Sequence, residues 1–206
     1  MGGLRQSNGI DLAAAQNLLE ANGHARALGT PLNTLVTIHW GLADGGGDAR
    51  KRFARLQEKA RKWLQARGAT LTSVFVHESA LSPEIHTHWA IHVRRGLGPS
   101  FDRMLRRWIG GDVDLRVCNV TPIKNDGAIN YMLKDLQPID YARLNLPRKL
   151  AKKRSDRPLV GKRIGTSQNL GLKARAAWAA QAREAGHMMY VHEPALKQLG
   201  TPGQAA

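Results

Sequence analysis

Ile85-His86-Thr87-His88-Trp89-Ala90-Ile91-His92-Val93 is the stretch whose reading decides the fold. Trp, Ile and Val alternate in it with smaller or polar residues, the period of a β-strand. Successive side chains of a strand point to opposite faces. His86, His88, Ala90 and His92 therefore share one face, and Thr87, Trp89, Ile91 and Val93 share the other, which is suited to burial. Two imidazoles at i and i+2 stand about 6.5–7 Å apart along the strand, close enough to reach one metal ion. The alternative is a polar strand face with satisfied or solvated histidines.

Working outward, Asn33–Trp40 alternates like a strand, and a glycine loop over 43–48 follows it. Asp48 is placed to cap a helix whose apolar stripe is Phe53, Leu56, Ala60, Trp63 and Leu64, ended by Gly68. Thr70–Glu78 is a second strand, and Ser79–Glu84, with Pro83, is a turn into the histidine strand. Pro99-Ser100 opens a helix with Phe101, Met104, Leu105 and Trp108 on one stripe, closed by Gly110-Gly111. Asp112–Thr121 reads as a fourth strand. Asn125 or Asp126 then caps a third helix that Pro138 ends. The order β-α-β-β-α-β predicts an α+β fold of the RRM/ferredoxin-like kind: a four- to five-stranded antiparallel sheet with helices on one face. The other face stays open to a ligand and carries His86 and His88.

Three regions follow: an N-terminal extension over 1–30 with a short helix, a central domain over 31–140, and a basic C-terminal region over 141–206. The chain carries 31 Lys+Arg against 16 Asp+Glu, a net charge of +15. The last region holds 13 of those cations and three acids. Such a balance points to a polyanion, with nucleic acid first and an anionic membrane surface second. Arg148, Lys149, Lys152, Lys153, Arg154, Arg157, Lys162 and Arg163 read as a basic arm on a nucleic-acid backbone, and Arg116 and Lys124 as loop contacts. No apolar run is long enough to cross a membrane. The N-terminus does not read as a signal peptide. Cys118, the single cysteine, excludes an internal disulfide and a multi-cysteine zinc site and suits a reducing, cytoplasmic setting. There is no phosphate-cradling glycine loop of the ATPase type, so any ATP-driven step belongs to another protein.

The third helix carries the second chemical feature, Tyr131-Met132-Leu133-Lys134. With Ile129, Met132, Leu133 and Leu136 on its apolar side, Tyr131 and Lys134 gather on the other, about 60° apart. Alone, a Tyr-x-x-Lys pair carries little weight. Combined with the His-x-His strand about 40 residues earlier, it resembles the HUH endonucleases. The likeness is closest to the single-tyrosine replication initiators of rolling-circle plasmids, single-stranded DNA viruses and filamentous phages. Asn33–Trp40 is similar to that family's first motif, an apolar-Thr strand. His86-Thr87-His88 resembles its metal motif, with Thr where a bulky hydrophobe is usual.

The resemblance covers about residues 31–140. It implies Tyr131 as nucleophile, Lys134 as its helper, and Mn²⁺ or Mg²⁺ held by His86, His88 and a third ligand. Glu78 takes that third place, with His77 second and His39 and His92 behind. On ligand grounds a nitrogen-rich site favours Mn²⁺. The implied activity is site-specific nicking of single-stranded DNA or an origin hairpin through a 5′-phosphotyrosine, in a bacterial host. A host helicase is the implied partner, and a second subunit the source of a second nucleophile, because Tyr141 lies beyond Pro138 and Tyr190 is distant. Two other readings stand beside it: a transposase or mobilisation relaxase on the same fold, and a non-catalytic RRM-like nucleic-acid-binding module.

Overall fold

A computed structural model of the chain describes residues 6–44, 46–79, 85–110, 113–153 and 157–185, with the side chains of 152 and 153 excepted. The turn expected over 80–84 lies outside the described residues. In chain order the elements are β1 (Gln6–Ser7), α1 (Leu12–Ala27), β2 (Thr34–His39), α2 (Ala49–Gln65), β3 (Ser73–Ser79), β4 (Ile85–Ile91) and α3 (Gly98–Ile109). After these come β5 (Cys118–Pro122), α4 (Gly127–Met132), α5 (Pro138–Arg143), β6 (Leu159–Val160), β7 (Ile164–Thr166) and α6 (Leu172–Glu184). A 3₁₀ turn covers Arg148–Lys153. Five strands form one sheet in the order β5-β2-β4-β3-β7, each antiparallel to its neighbours. The architecture is α+β and compatible with a ferredoxin-like fold.

Alternation along the strands sorts the residues as expected. Trp89, Ile91, Val36, Ile38 and Phe75 face α2 and α3, where Phe53 meets Phe75 and Trp89 edge-on. His77 lies on this side too, 5.2 Å from the Phe53 ring centre, with Nδ1 2.8 Å from the Thr87 hydroxyl. It is therefore no ligand of a site on the other face. Asp48 caps α2 by accepting from the Arg50 amide at 2.9 Å.

Burial lowers His77 to about pKa 4, with Arg50 adding to the effect. The folded protein therefore holds it neutral while an unfolded chain protonates it near 6.5. Its contribution is complete above that value and is lost as pH falls toward 4, about 2 kcal/mol of it by pH 5. His77→Gln should flatten the fall of the urea midpoint between pH 7 and 5. An unchanged slope would refute this.

The structure corrects four expectations. The helices do not keep to one face. Val74, Val76 and Ala90, on the face expected to be open, are buried beneath α1 and α4 with Ala15, Leu18, Ile129 and Met132. A layer rich in alanine packs closely without a strong apolar stripe, which is why α1 reads as an extension. Ile10, Ala15, Leu18, Ala21 and Ala25 of the stretch read as an extension, and Tyr141, Leu146, Leu150 and Leu170 of the basic region, accordingly share a core with residues of the central domain. The third helix ends at Met132, not before Pro138, because Leu133–Asp135 turn inward and Leu136 bridges to Ile10. The fourth strand starts at Cys118, not Asp112. The fifth strand, β7, comes from the basic region and pairs with the outer side of β3. Gly165 sits opposite Phe75, whose ring lies 2.6 Å from where a Cβ would be, so no larger residue fits without moving the ring.

Candidate active site

Strand register builds the site. Glu78 on β3, His86 on β4 and His39 on β2 lie directly across from one another in one row. The next row holds Val76, His88 and Thr37. Only alternate residues reach this face, so the pattern brings Glu78, His86, His88, Thr37 and His39 together. From above, α4 and the turn after it add Tyr131 and Lys134.

His88 is held at both nitrogens. Nδ1 lies 3.0 Å from Thr37 Oγ1, and Nε2 lies 3.1 Å from Glu78 Oε2. His86 Nε2 lies 3.1 Å from His39 Nδ1. Burial, then the neighbouring His39, push His86 down to about pKa 4, so at neutral pH it is the neutral imidazole that a metal requires.

Glu78 is 4% exposed. Burial alone would raise its carboxyl, yet the hydrogen bond and charge of His88, together with Lys134, outweigh that and hold it below the usual range. Lys134, also buried, donates to Glu78 Oε2 at 2.5 Å and to Tyr131 Oη at 3.1 Å. Burial works to lower its pKa, but Glu78 prevails and raises it, so it is an ammonium ion. Tyr131, half-buried, stands edge-on to His88 with ring centres 5.6 Å apart.

The turn that carries Lys134 is pinned from three sides. Tyr141, fully buried, donates to the Lys134 carbonyl at 2.6 Å. The Ile10 amide donates to the Asp135 carbonyl at 3.0 Å. The buried Asp135 carboxylate accepts from Arg163 Nη1 at 2.9 Å, while Arg163 also reaches the Ser7 and Arg157 carbonyls. Arg163 therefore serves the scaffold, although it stands in the run read as a basic arm.

The structure thus brings together Tyr131, Lys134, Glu78, His86 and His88. It adds His39 and Thr37, whose shared face the alternation of β2 already indicated. His92 is elsewhere, with Nδ1 2.8 Å from the Pro31 carbonyl. Arg116 is exposed and pairs with Asp114, and Lys124, Arg148 and Lys149 are exposed. Arg154 and Tyr190, and the side chains of Lys152 and Lys153, lie outside the described residues.

Among the described residues, no three His, Cys, Asp or Glu side chains meet at one point as a ready metal cage. The donor types nevertheless suit a divalent cation. They comprise imidazoles, one of them kept neutral, and a buried carboxylate whose Oε1 has no hydrogen-bond partner among the described residues. A buried, unsatisfied carboxylate oxygen is costly unless something else takes its lone pairs.

No family model, curated protein or solved structure matches the chain. Among the described residues no helix is long and apolar enough to cross a membrane.

Proposed function

We propose that the chain is a metal-dependent nuclease and strand transferase that nicks single-stranded DNA through a phosphotyrosine, on the plan of the HUH single-tyrosine replication initiators. The observation that carries this reading is one ammonium group, Lys134 Nζ. It joins the Tyr131 hydroxyl to the Glu78 carboxylate, which in turn meets His88. Four residues from two distant parts of the sequence, strands β3 and β4 and the α4 region, make one continuous chain of polar contacts.

The chemistry follows from the residue types. Tyr131 Oη loses its proton to solvent and attacks the scissile phosphorus. The Oη–P bond forms, the P–O3′ bond breaks, and the leaving oxygen takes a proton to become a free 3′-OH. The phenol's ordinary pKa is near 10, so the nearby Lys134 cation favours the phenolate and the charge developing on phosphate. The half-buried ring keeps Oη near the protein surface, and the edge contact with His88 fixes its direction. Mn²⁺ or Mg²⁺ held by His86, His88 and Glu78 would supply Lewis-acid polarisation of the phosphate. The phosphotyrosyl bond keeps the energy of the bond it replaced, so a later 3′-OH reverses the step without ATP. Exposed Lys124, Arg148 and Lys149, with the net charge of +15, suit the DNA backbone.

The test is incubation of the full chain with end-labelled single-stranded DNA pools and Mn²⁺, followed by denaturing electrophoresis. A retarded band should appear whose digest carries nucleotide on Tyr131. DNA binding without any such band would instead favour the non-catalytic module. Cleavage of transposon ends but not of replication origins would favour the transposase.

A further inference from the structure

Resting on the metal-site reading above, we infer that His39 is an additional metal ligand, so that the ion is held by three imidazoles and one carboxylate. Three observations carry this. The first is register: Glu78, His86 and His39 stand abreast on three neighbouring strands. Directly opposed side chains on one sheet face have their Cβ atoms about 4.5–5.5 Å apart, a span that one ion bridges.

The second is the geometry of the two rings. His39 Nδ1 and His86 Nε2 are 3.1 Å apart, while the ring centres are only 4.0 Å apart and tilted by 53°. A collinear N–H···N bond of that length would hold the ring centres roughly 5 Å or more apart. The rings instead lie side by side and present adjacent nitrogens to the same region. Two nitrogens bound at right angles to an ion at about 2.1 Å sit about 3 Å from one another.

The third is Glu78 Oε1 in the same row, buried without a hydrogen-bond partner among the described residues. His88 completes the set from the adjacent row, where Thr37 holds its Nδ1 at 3.0 Å. Because a hydroxyl both donates and accepts, Thr37 Oγ1 can accept a hydrogen bond from Nδ1–H when Nε2 gives its lone pair to the ion. The donors do not meet at one point as they stand. Strand register aligns them, and closure on an ion requires the side chains to rotate and His88 Nε2 to exchange Glu78 Oε2 for the ion.

Three nitrogens and one carboxylate form a set that first-row transition ions prefer and that Mg²⁺, an oxygen-seeking ion, does not. The site therefore takes Mn²⁺, Co²⁺ or Zn²⁺ ahead of Mg²⁺.

The test is Mn²⁺ binding to the full chain without DNA, followed through the electron paramagnetic signal of free Mn²⁺, with pulsed measurements counting coupled imidazole nitrogens on the bound ion. Wild type should show three nitrogens, and a tenfold excess of Mg²⁺ should not displace Mn²⁺. His39→Ala and His39→Gln should weaken binding at least tenfold and leave two nitrogens, while His92→Ala should bind as wild type does. Two nitrogens in the wild type, with His39 variants binding normally and His86→Ala failing, would overturn the role of His39 and leave the nuclease reading standing. No Mn²⁺ bound by the wild type would overturn both. The nitrogen count on wild type needs no variant to fold.

Discussion

Tyr131→Phe forms no covalent adduct with single-stranded DNA, a fall of at least about 10³-fold, as expected when a nucleophile that works with its neighbours is removed. Its DNA affinity should stay within about threefold of wild type, because the phosphate contacts come from surface cations that the substitution does not touch. The variant also folds. Phe keeps the ring that packs against His88, and Lys134 keeps its ion pair with Glu78. The 3.1 Å hydrogen bond to Lys134 is lost, worth about 1 kcal/mol or less. Thermal melting separates this outcome from misfolding, and adduct at wild-type yield would remove Tyr131 from the mechanism.

Arg163→Met carries the largest expected effect on stability, a loss of about 3–5 kcal/mol. Both partners of the Arg163–Asp135 pair are nearly inaccessible, with side chains 3% and 2% exposed. Removing the guanidinium takes a buried cation away from a buried carboxylate, and also strips the Ser7 and Arg157 carbonyls of a donor. Asp135→Asn should cost less, because a neutral amide tolerates burial better than an ion does. The double replacement should cost clearly less than the two single losses added together, the mark of a direct pair. Urea denaturation reads all three. A change below about 0.5 kcal/mol in Arg163→Met would show that the pair does not hold the turn beneath Lys134.

How far the site was legible depended on where its information lay. The histidine strand declared itself because period-2 alternation decides both burial and facing, and Trp89, Ile91 and Val93 lie together on the side covered by α2 and α3, as that rule requires. Glu78 came from the resemblance, which implies a third ligand near the end of the preceding strand. The covering of the second sheet face was not legible. Ala15, Ala21 and Ala25 of α1 form a close-packing surface of small residues, and a three-residue strand with a central glycine, β7, offers almost no pattern. Arg163 was misjudged for a different reason. In a run of cations nothing local marks the one that is buried. Its partner Asp135 stands 28 residues earlier, and only the folded chain brings them together. The inward turn at Lys134 was hidden likewise, since it depends on Tyr141 and on Ile10 from the opposite end of the chain.

The placement of β7 bears on how the polypeptide can be shortened. A version trimmed at residue 140 would strip β3 of its outer neighbour. The strand that presents Glu78 would become a bare ribbon margin with unpaired amides and carbonyls. Such a margin templates strand addition from other molecules, so the trimmed protein should aggregate. Any loss of activity would then come from self-association and from the missing supports Tyr141 and Arg163, and not from the missing surface charge.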